Sequence, residues 1–92
     1  MEWLRIIVSG RVQGVGFRYF TQQLATRHQV VGWVQNRPNG EVEALAGVGK
    51  SRKQRFLAAL EQGPPGSWVE KMSIQAENPP SSPPARGFVI RR

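Results

Sequence analysis

The sequence contains no cysteine and no aspartate, and its only histidine is His28. Without cysteine, the chain has neither disulfide bonds nor thiolate metal sites. Cysteine and aspartate are also common nucleophiles that accept a phosphoryl group, so the chain has neither of these for covalent catalysis. No apolar run approaches the roughly 20 residues that a membrane-spanning helix needs. The N-terminal stretch does not resemble a signal peptide either, because its second residue is acidic and its apolar run is short. These absences favour a cytoplasmic protein.

Acidic residues are scarce. Six glutamates oppose 13 lysines and arginines, which gives a formal charge of +7. Such a surface attracts phosphates, nucleic acid or acidic membranes, or it simply keeps a small domain soluble. A length of 92 residues allows one modest core, so we predict a single domain over residues 1–92.

The hydrophobic pattern changes between period two and helical spacing along the chain. Leu4, Ile6 and Val8 alternate as in a half-buried strand, whereas Phe17, Phe20 and Leu24 have helical spacing. The pattern predicts strands over 3–13, 30–36, 41–48, 68–77 and 88–92, a helix over 17–28, and a second helix from Ser51 to Gly63. Ser51 and Gln54 have the spacing of a capping box, which predicts that the second helix starts there.

This order, βαββαβ plus a short C-terminal strand, predicts an α+β fold. The expected architecture is a ferredoxin-like split βαβ sandwich, with two helices on one face of a mainly antiparallel sheet. A helical crossover makes the first two strands run in the same direction. The glycine loop after strand 1, Arg18 and Asn36 should then lie at one end of the sheet. The Pro/Ser-rich stretch over 78–87 is expected to lie outside the sheet.

The loop "GRVQGVG" has three glycines between Gly10 and Gly16. A loop that leads into a helix N-terminus presents backbone N–H groups without intrahelical acceptors, and glycine allows them to curl inward around an anion. Arg18 could then grip two oxygens with its guanidinium group. The loop therefore predicts a phosphate or carboxylate site. The alternative is a tight turn with Arg18 in solvent.

Three other motifs can be compared with this region. The dinucleotide fingerprint is not met, because Tyr19 stands where its third glycine belongs. An RNA-binding motif of the RRM type would need its aromatics on a central strand, but Phe17 and Phe20 have helical spacing and are predicted to be core residues. Residues 44–51, "ALAGVGKS", imitate a P-loop. We interpret them as a strand and a helix start, because the chain lacks the aspartate that usually binds the magnesium ion.

Two stretches, "GRVQGVGFR" at 10–18 and "GWVQNRPNGEVEA" at 32–44, resemble the two signature motifs of the acylphosphatase family. The "GPPGS" turn and the ending "GFVIRR" are also similar to that family. The resemblance implies metal-independent hydrolysis of the carboxyl–phosphate bond of acyl phosphates, without a cofactor, and a water molecule oriented by Asn36. It implies that the phosphate is bound by Gln13, Gly14, Val15, Gly16, Phe17 and Arg18. The departures are the glycine spacing in "EALAGVG" and the basic stretch "KSRKQR".

This chemistry is consistent with the residues present. An acyl phosphate releases a carboxylate with a pKa of about 4, so no strong general acid is needed. Backbone amides and Arg18 would stabilise the charge of the phosphoryl group, and Asn36 can orient a water but cannot deprotonate it. His28 is expected at the far end of the first helix. The tryptophans Trp3, Trp33 and Trp68 are interpreted as packing residues at sheet edges.

Two alternatives remain: a non-catalytic nucleic-acid binder that uses the positive charge, and a regulatory module that binds a small anion. Arg52, Lys53 and Arg55 form a basic cluster, but such runs are usually solvated helix faces. The regulatory module could dispense with Asn36, which this chain retains. We expect a monomer that binds a small acyl phosphate in the loop and has no membrane or nucleic-acid partner.

Overall fold

The computed structural model of the protein describes residues 1–82 and 87–92. The predicted order of strands and helices is confirmed. The elements are β1 (Glu2–Arg11), α1 (Phe17–Arg27), β2 (Val31–Asn36), β3 (Val42–Val48), α2 (Lys50–Gln62), β4 (Trp68–Ala76) and β5 (Phe88–Arg91). Part of the Pro/Ser-rich stretch, residues 83–86, lies outside the described residues. Neither helix in the described part is long and apolar enough to cross a membrane.

All five strands form one sheet in the order β4-β1-β3-β2-β5. β1 and β2 both pair antiparallel with β3, so they run in the same direction, as the helical crossover predicts. β4 pairs antiparallel with β1, whereas β5 pairs parallel with β2. The ferredoxin-like α+β fold with a mainly antiparallel sheet is therefore confirmed. We call the end where β1, β2 and β5 finish and α1 begins the loop end of the sheet.

The core lies between the two helices and one face of the sheet. β1 contributes alternate buried side chains, and β3 contributes four more that lie on the same face of the sheet. Phe17 and Leu24 of α1 and Phe56 and Leu60 of α2 close the core from the other side. The buried hydroxyl of Thr21 donates to the Phe17 carbonyl at 2.8 Å, so it enters the core with its hydrogen-bonding need met. The core sheet residues are Leu4, Ile6, Val8, Val34, Val42, Ala44, Ala46, Val48 and Phe88.

The opposite face of the sheet is polar at its centre. Arg5 forms ion pairs with both Glu43 and Glu77, and Gln35 donates to Glu43 at 3.0 Å. The pKa of Arg5 is raised above its ordinary value, mainly by the hydrogen bond to Glu77 and to a smaller extent by the one to Glu43. A raised pKa means that this stabilisation is complete at neutral pH and is lost only at strongly alkaline pH.

The interpretation of the tryptophans as edge residues is wrong for two of the three. Trp3 lies on the inner strand β1, and its ring covers Gly47. Trp33 lies on the inner strand β2, under the guanidinium of Arg91 at 4.5 Å from the ring centroid. Trp68 does lie on an edge strand, but it is 67% exposed. The ring of Trp3 therefore packs on a glycine and that of Trp33 under an arginine. The alternation of hydrophobic and polar residues in the sequence does not predict either contact.

The predicted capping box of α2 is also wrong. The helix begins at Lys50, its N-cap is Gly49, and no side chain caps it. Gly49 has φ −71° and ψ 148°, the extended conformation of an N-cap, so Ser51 lies inside the first turn. The P-loop-like stretch is a strand and a helix start, as interpreted. Its strand, β3, is antiparallel to both neighbours, unlike the parallel strand that precedes a P-loop.

Candidate active site

Two of the last three residues in the loop between β1 and α1 have a left-handed backbone conformation. Gly14 has φ 76° and Gly16, the N-cap of α1, has φ 77°. A Cβ atom at either position would meet no other atom within 4 Å. The backbone conformation, rather than crowding, therefore requires glycine, and the space around both Cα atoms is open. An alternation of left-handed and ordinary residues turns successive N–H groups toward one centre.

The N–H groups of this loop are available to a ligand. In the described part of the chain, no backbone N–H from Gln13 to Gly16 donates to another protein atom. Phe17 and Arg18 are the first two helical residues, so their N–H groups also lack intrahelical acceptors. No acidic side chain occupies the first turn of α1. The loop thus offers a run of free N–H groups at the positive end of a helix dipole.

Arg18 lies beside this run and reaches the end of β5. Its Nη1 donates to the backbone carbonyl of Arg91 at 3.3 Å. One turn later on the same helix, Gln22 Nε2 donates to the carbonyl of Phe88 at 2.9 Å. These two contacts fix α1 against β5. Since Arg18 uses one of its five N–H donors in this contact, the others can hold an anion in a planar fork.

Gln13 belongs to the predicted phosphate-binding set, but its side chain points elsewhere. Its Nε2 donates to the carbonyls of Arg37 and Glu41, both at 2.8 Å. Only the backbone N–H of Gln13 therefore remains for an anion in the loop. The side chain instead ties the loop to the β2–β3 hairpin, a contact that the sequence reasoning missed.

Asn36 is the last residue of β2 and is exposed. It pairs with Val42 at the start of β3, in the last rung before the hairpin turn. In the described residues, its side chain makes no hydrogen bond to the protein. Because β1 and β2 run in the same direction, Asn36 lies at the loop end of the sheet, as predicted. Its amide is free to hold a water molecule there.

The surroundings of the loop are rich in arginine. Arg11 ends β1, and Arg91 ends β5, at the same end of the sheet as Arg18. Arg37 follows Asn36 and pairs with Glu41 at 3.7 Å. Positive charge therefore exceeds negative charge at the loop end of the sheet, which favours an anionic ligand.

Two further candidate side chains, His28 and Ser9, lie outside this arrangement. His28 is the C-cap of α1, at the opposite end of the helix, and its ring centroid lies 6.2 Å from that of Phe56 in a T-shaped arrangement. Ser9 donates to the carbonyl of Lys71 at 3.5 Å on the β1–β4 side. The arrangement can bind a tetrahedral anion through N–H groups and a guanidinium, and it can orient a water. It offers no side chain for covalent catalysis.

Comparison with known proteins agrees with this geometry. The Acylphosphatase family model matches residues 4–90. An acylphosphatase from Bacillus licheniformis is 53% identical over 72 residues, which are 77% of this chain and 79% of that protein. The crystal structure of acylphosphatase from Bacillus subtilis superposes with a TM-score of 0.91 at 41% identity and covers 100% of both chains. An acylphosphatase from Coxiella burnetii has a TM-score of 0.88 at 29% identity, over 98% of this chain and 92% of that one. The chain belongs to the acylphosphatase family.

Proposed function

We propose that the protein hydrolyses acyl phosphates to a carboxylate and inorganic phosphate, without a metal ion or cofactor. The observation that carries this proposal is the run of unpaired N–H groups from Gln13 to Arg18, at the start of the helix that bears the Arg18 guanidinium. These groups hold the three equatorial phosphoryl oxygens. They also stabilise the negative charge that develops there, which is the main demand of phosphoryl transfer.

Asn36 orients the attacking water through its side-chain oxygen and nitrogen. The water oxygen forms a bond to phosphorus while the bond from phosphorus to the acyl oxygen breaks. The electron pair of that bond leaves on the carboxylate, whose pKa of about 4 makes it a good leaving group. Because a carboxamide cannot accept the proton, the proton of the water moves to a phosphoryl oxygen. Positioning in this way replaces a general base.

The test is the loss of benzoyl phosphate in buffer with and without a chelator, followed for the wild type, Arg18→Ala and Asn36→Ala. We expect kcat/KM to fall on the order of 100- to 1000-fold in each variant, since each removes one transition-state interaction. Arg18→Lys keeps the charge but loses the fork, so it should recover only part of the rate. Arg52→Ala, in α2, is the control and should keep full activity.

Three results would contradict the proposal: an inactive wild type, variants that match its rate, or activity that disappears with the chelator. The regulatory alternative predicts phosphate binding with no turnover, so isothermal titration with inorganic phosphate separates it from an inactive loop. We also propose that the protein acts as a cytoplasmic monomer, without nucleic acid. Light scattering of the purified protein, with and without a single-stranded oligonucleotide, tests the oligomeric state and the absence of that partner.

A further inference from the structure

The β2–β3 hairpin is held by a side chain from outside it. Its own backbone closes the turn with a hydrogen bond from Arg37 N to Glu41 O at 2.8 Å and another from Gly40 N to Arg37 O at 3.2 Å. The same two acceptor residues, Arg37 and Glu41, also receive the Nε2 group of Gln13. The primary amide has two N–H bonds, so it serves one carbonyl with each and spans the mouth of the turn.

We propose that Gln13 is a positioning residue that aligns Asn36 with the phosphate loop. This inference rests on the proposed function of the site. Gln13 is the first residue of the anion-binding run, and Arg37 is the residue directly after Asn36. A single side chain therefore fixes the distance between the groups that hold the phosphate and the group that holds the water. In-line attack depends on that distance, and a misplacement of about 1 Å costs on the order of 100-fold in rate.

The glutamine amide meets the geometric demand at this position, and the side chains closest to it in shape meet it less well. Leucine has a similar shape but no donor, and glutamate would place carboxylate oxygens against two carbonyl oxygens. Asparagine has the same amide on a side chain one methylene shorter. The hydrogen bonds are partly buried, so water replaces them poorly when they are lost. Removal of the amide releases the hairpin from the loop while the N–H run remains in place.

The test compares Gln13→Leu and Gln13→Glu with Asn39→Ala as the matched control. Asn39 stabilises the same hairpin, since its Oδ1 accepts from the Glu41 N–H at 3.1 Å and its Nδ2 donates to the Glu41 carboxylate at 2.9 Å. Among the described residues it makes no hydrogen bond to the loop between β1 and α1. For each protein, kcat and KM for benzoyl phosphate, Ki for inorganic phosphate and the unfolding midpoint in urea are measured. The same substitutions are then made in an Asn36→Ala background.

We expect kcat to fall about tenfold or more in both Gln13 variants. Ki for inorganic phosphate should stay within about twofold, because the phosphate does not need the water site. Asn39→Ala should lower stability but keep kcat. In the Asn36→Ala background, the effect of Gln13→Leu on kcat should largely disappear, since a residue that acts through Asn36 cannot act without it.

Several outcomes would overturn the proposal. A Ki for phosphate that rises in step with the fall in kcat would make Gln13 part of the phosphate site. An undiminished effect in the Asn36→Ala background would show that it does not act through Asn36. An active wild type with unaffected Gln13 variants rejects the positioning role alone, whereas an inactive wild type rejects the proposed function as well. If Gln13→Leu does not fold, Gln13→Glu supplies the same comparison.

Discussion

The single residues that define the site differ in how far the sequence reveals them. The place of Arg18 follows from a glycine loop and a helix start, and that of Asn36 from a strand end, whereas the role of Asn36 was implied only by the family resemblance. The structure places both residues at the loop end of the sheet. The direction of the Gln13 side chain does not follow, because it depends on carbonyls 24 and 28 residues away. The missing cap at Ser51 has a local cause instead, because Gly49, directly before the helix, is the N-cap.

Gly16 provides a prediction at this scale. Its φ of 77° is a left-handed conformation that a Cβ atom makes unfavourable. We expect Gly16→Ala to lower the free energy of unfolding by about 1–2 kcal/mol. Gly16→Asn should cost less, because asparagine tolerates this conformation. Urea unfolding of both variants is the measurement, and equal losses would show that the left-handed φ does not set the cost.

Among the elements, the strands with strict alternation were predicted most fully. β3 has buried residues at the four positions that its sequence pattern indicates, and Leu45 and Gly47 on the other face are buried as well. The partner of β5 was not predictable, because its four residues carry no pairing information. Its position beside β2 depends on tertiary contacts that include the Gln22–Phe88 bond.

Helix α2 provides a prediction at the scale of the element. Its first turn has no acidic residue and carries Lys50, Arg52 and Lys53, although a helix N-terminus disfavours positive charge. We expect Arg52→Glu to raise the free energy of unfolding by about 0.3–1 kcal/mol. Arg55→Glu, one turn further along, makes the same change in net charge and should give less. Equal gains in the two variants, measured by urea unfolding, would assign the effect to net charge instead of the helix dipole.

For the whole molecule, the charge of +7 should act on substrate capture. Arginines at the loop end attract an anionic acyl phosphate. Salt screens this attraction, and the Debye length is about 30 Å at an ionic strength of 0.01 M and about 8 Å at 0.15 M. We expect kcat/KM to fall about threefold or more between these ionic strengths, and kcat to change much less. Initial rates with benzoyl phosphate test this. A flat kcat/KM would mean that the charge serves another purpose, such as solubility.

The contact between Arg18 and Arg91 joins residues 73 positions apart. Helix α1 is a local structure that can form early in folding, but its arginine meets this carbonyl only after β5 has paired with β2. Pairing over such sequence separations is slow compared with helix formation. In a refolding experiment, hydrolysis of acyl phosphate should therefore return after the helical circular dichroism signal, so that enzyme activity reports the final docking step of the chain.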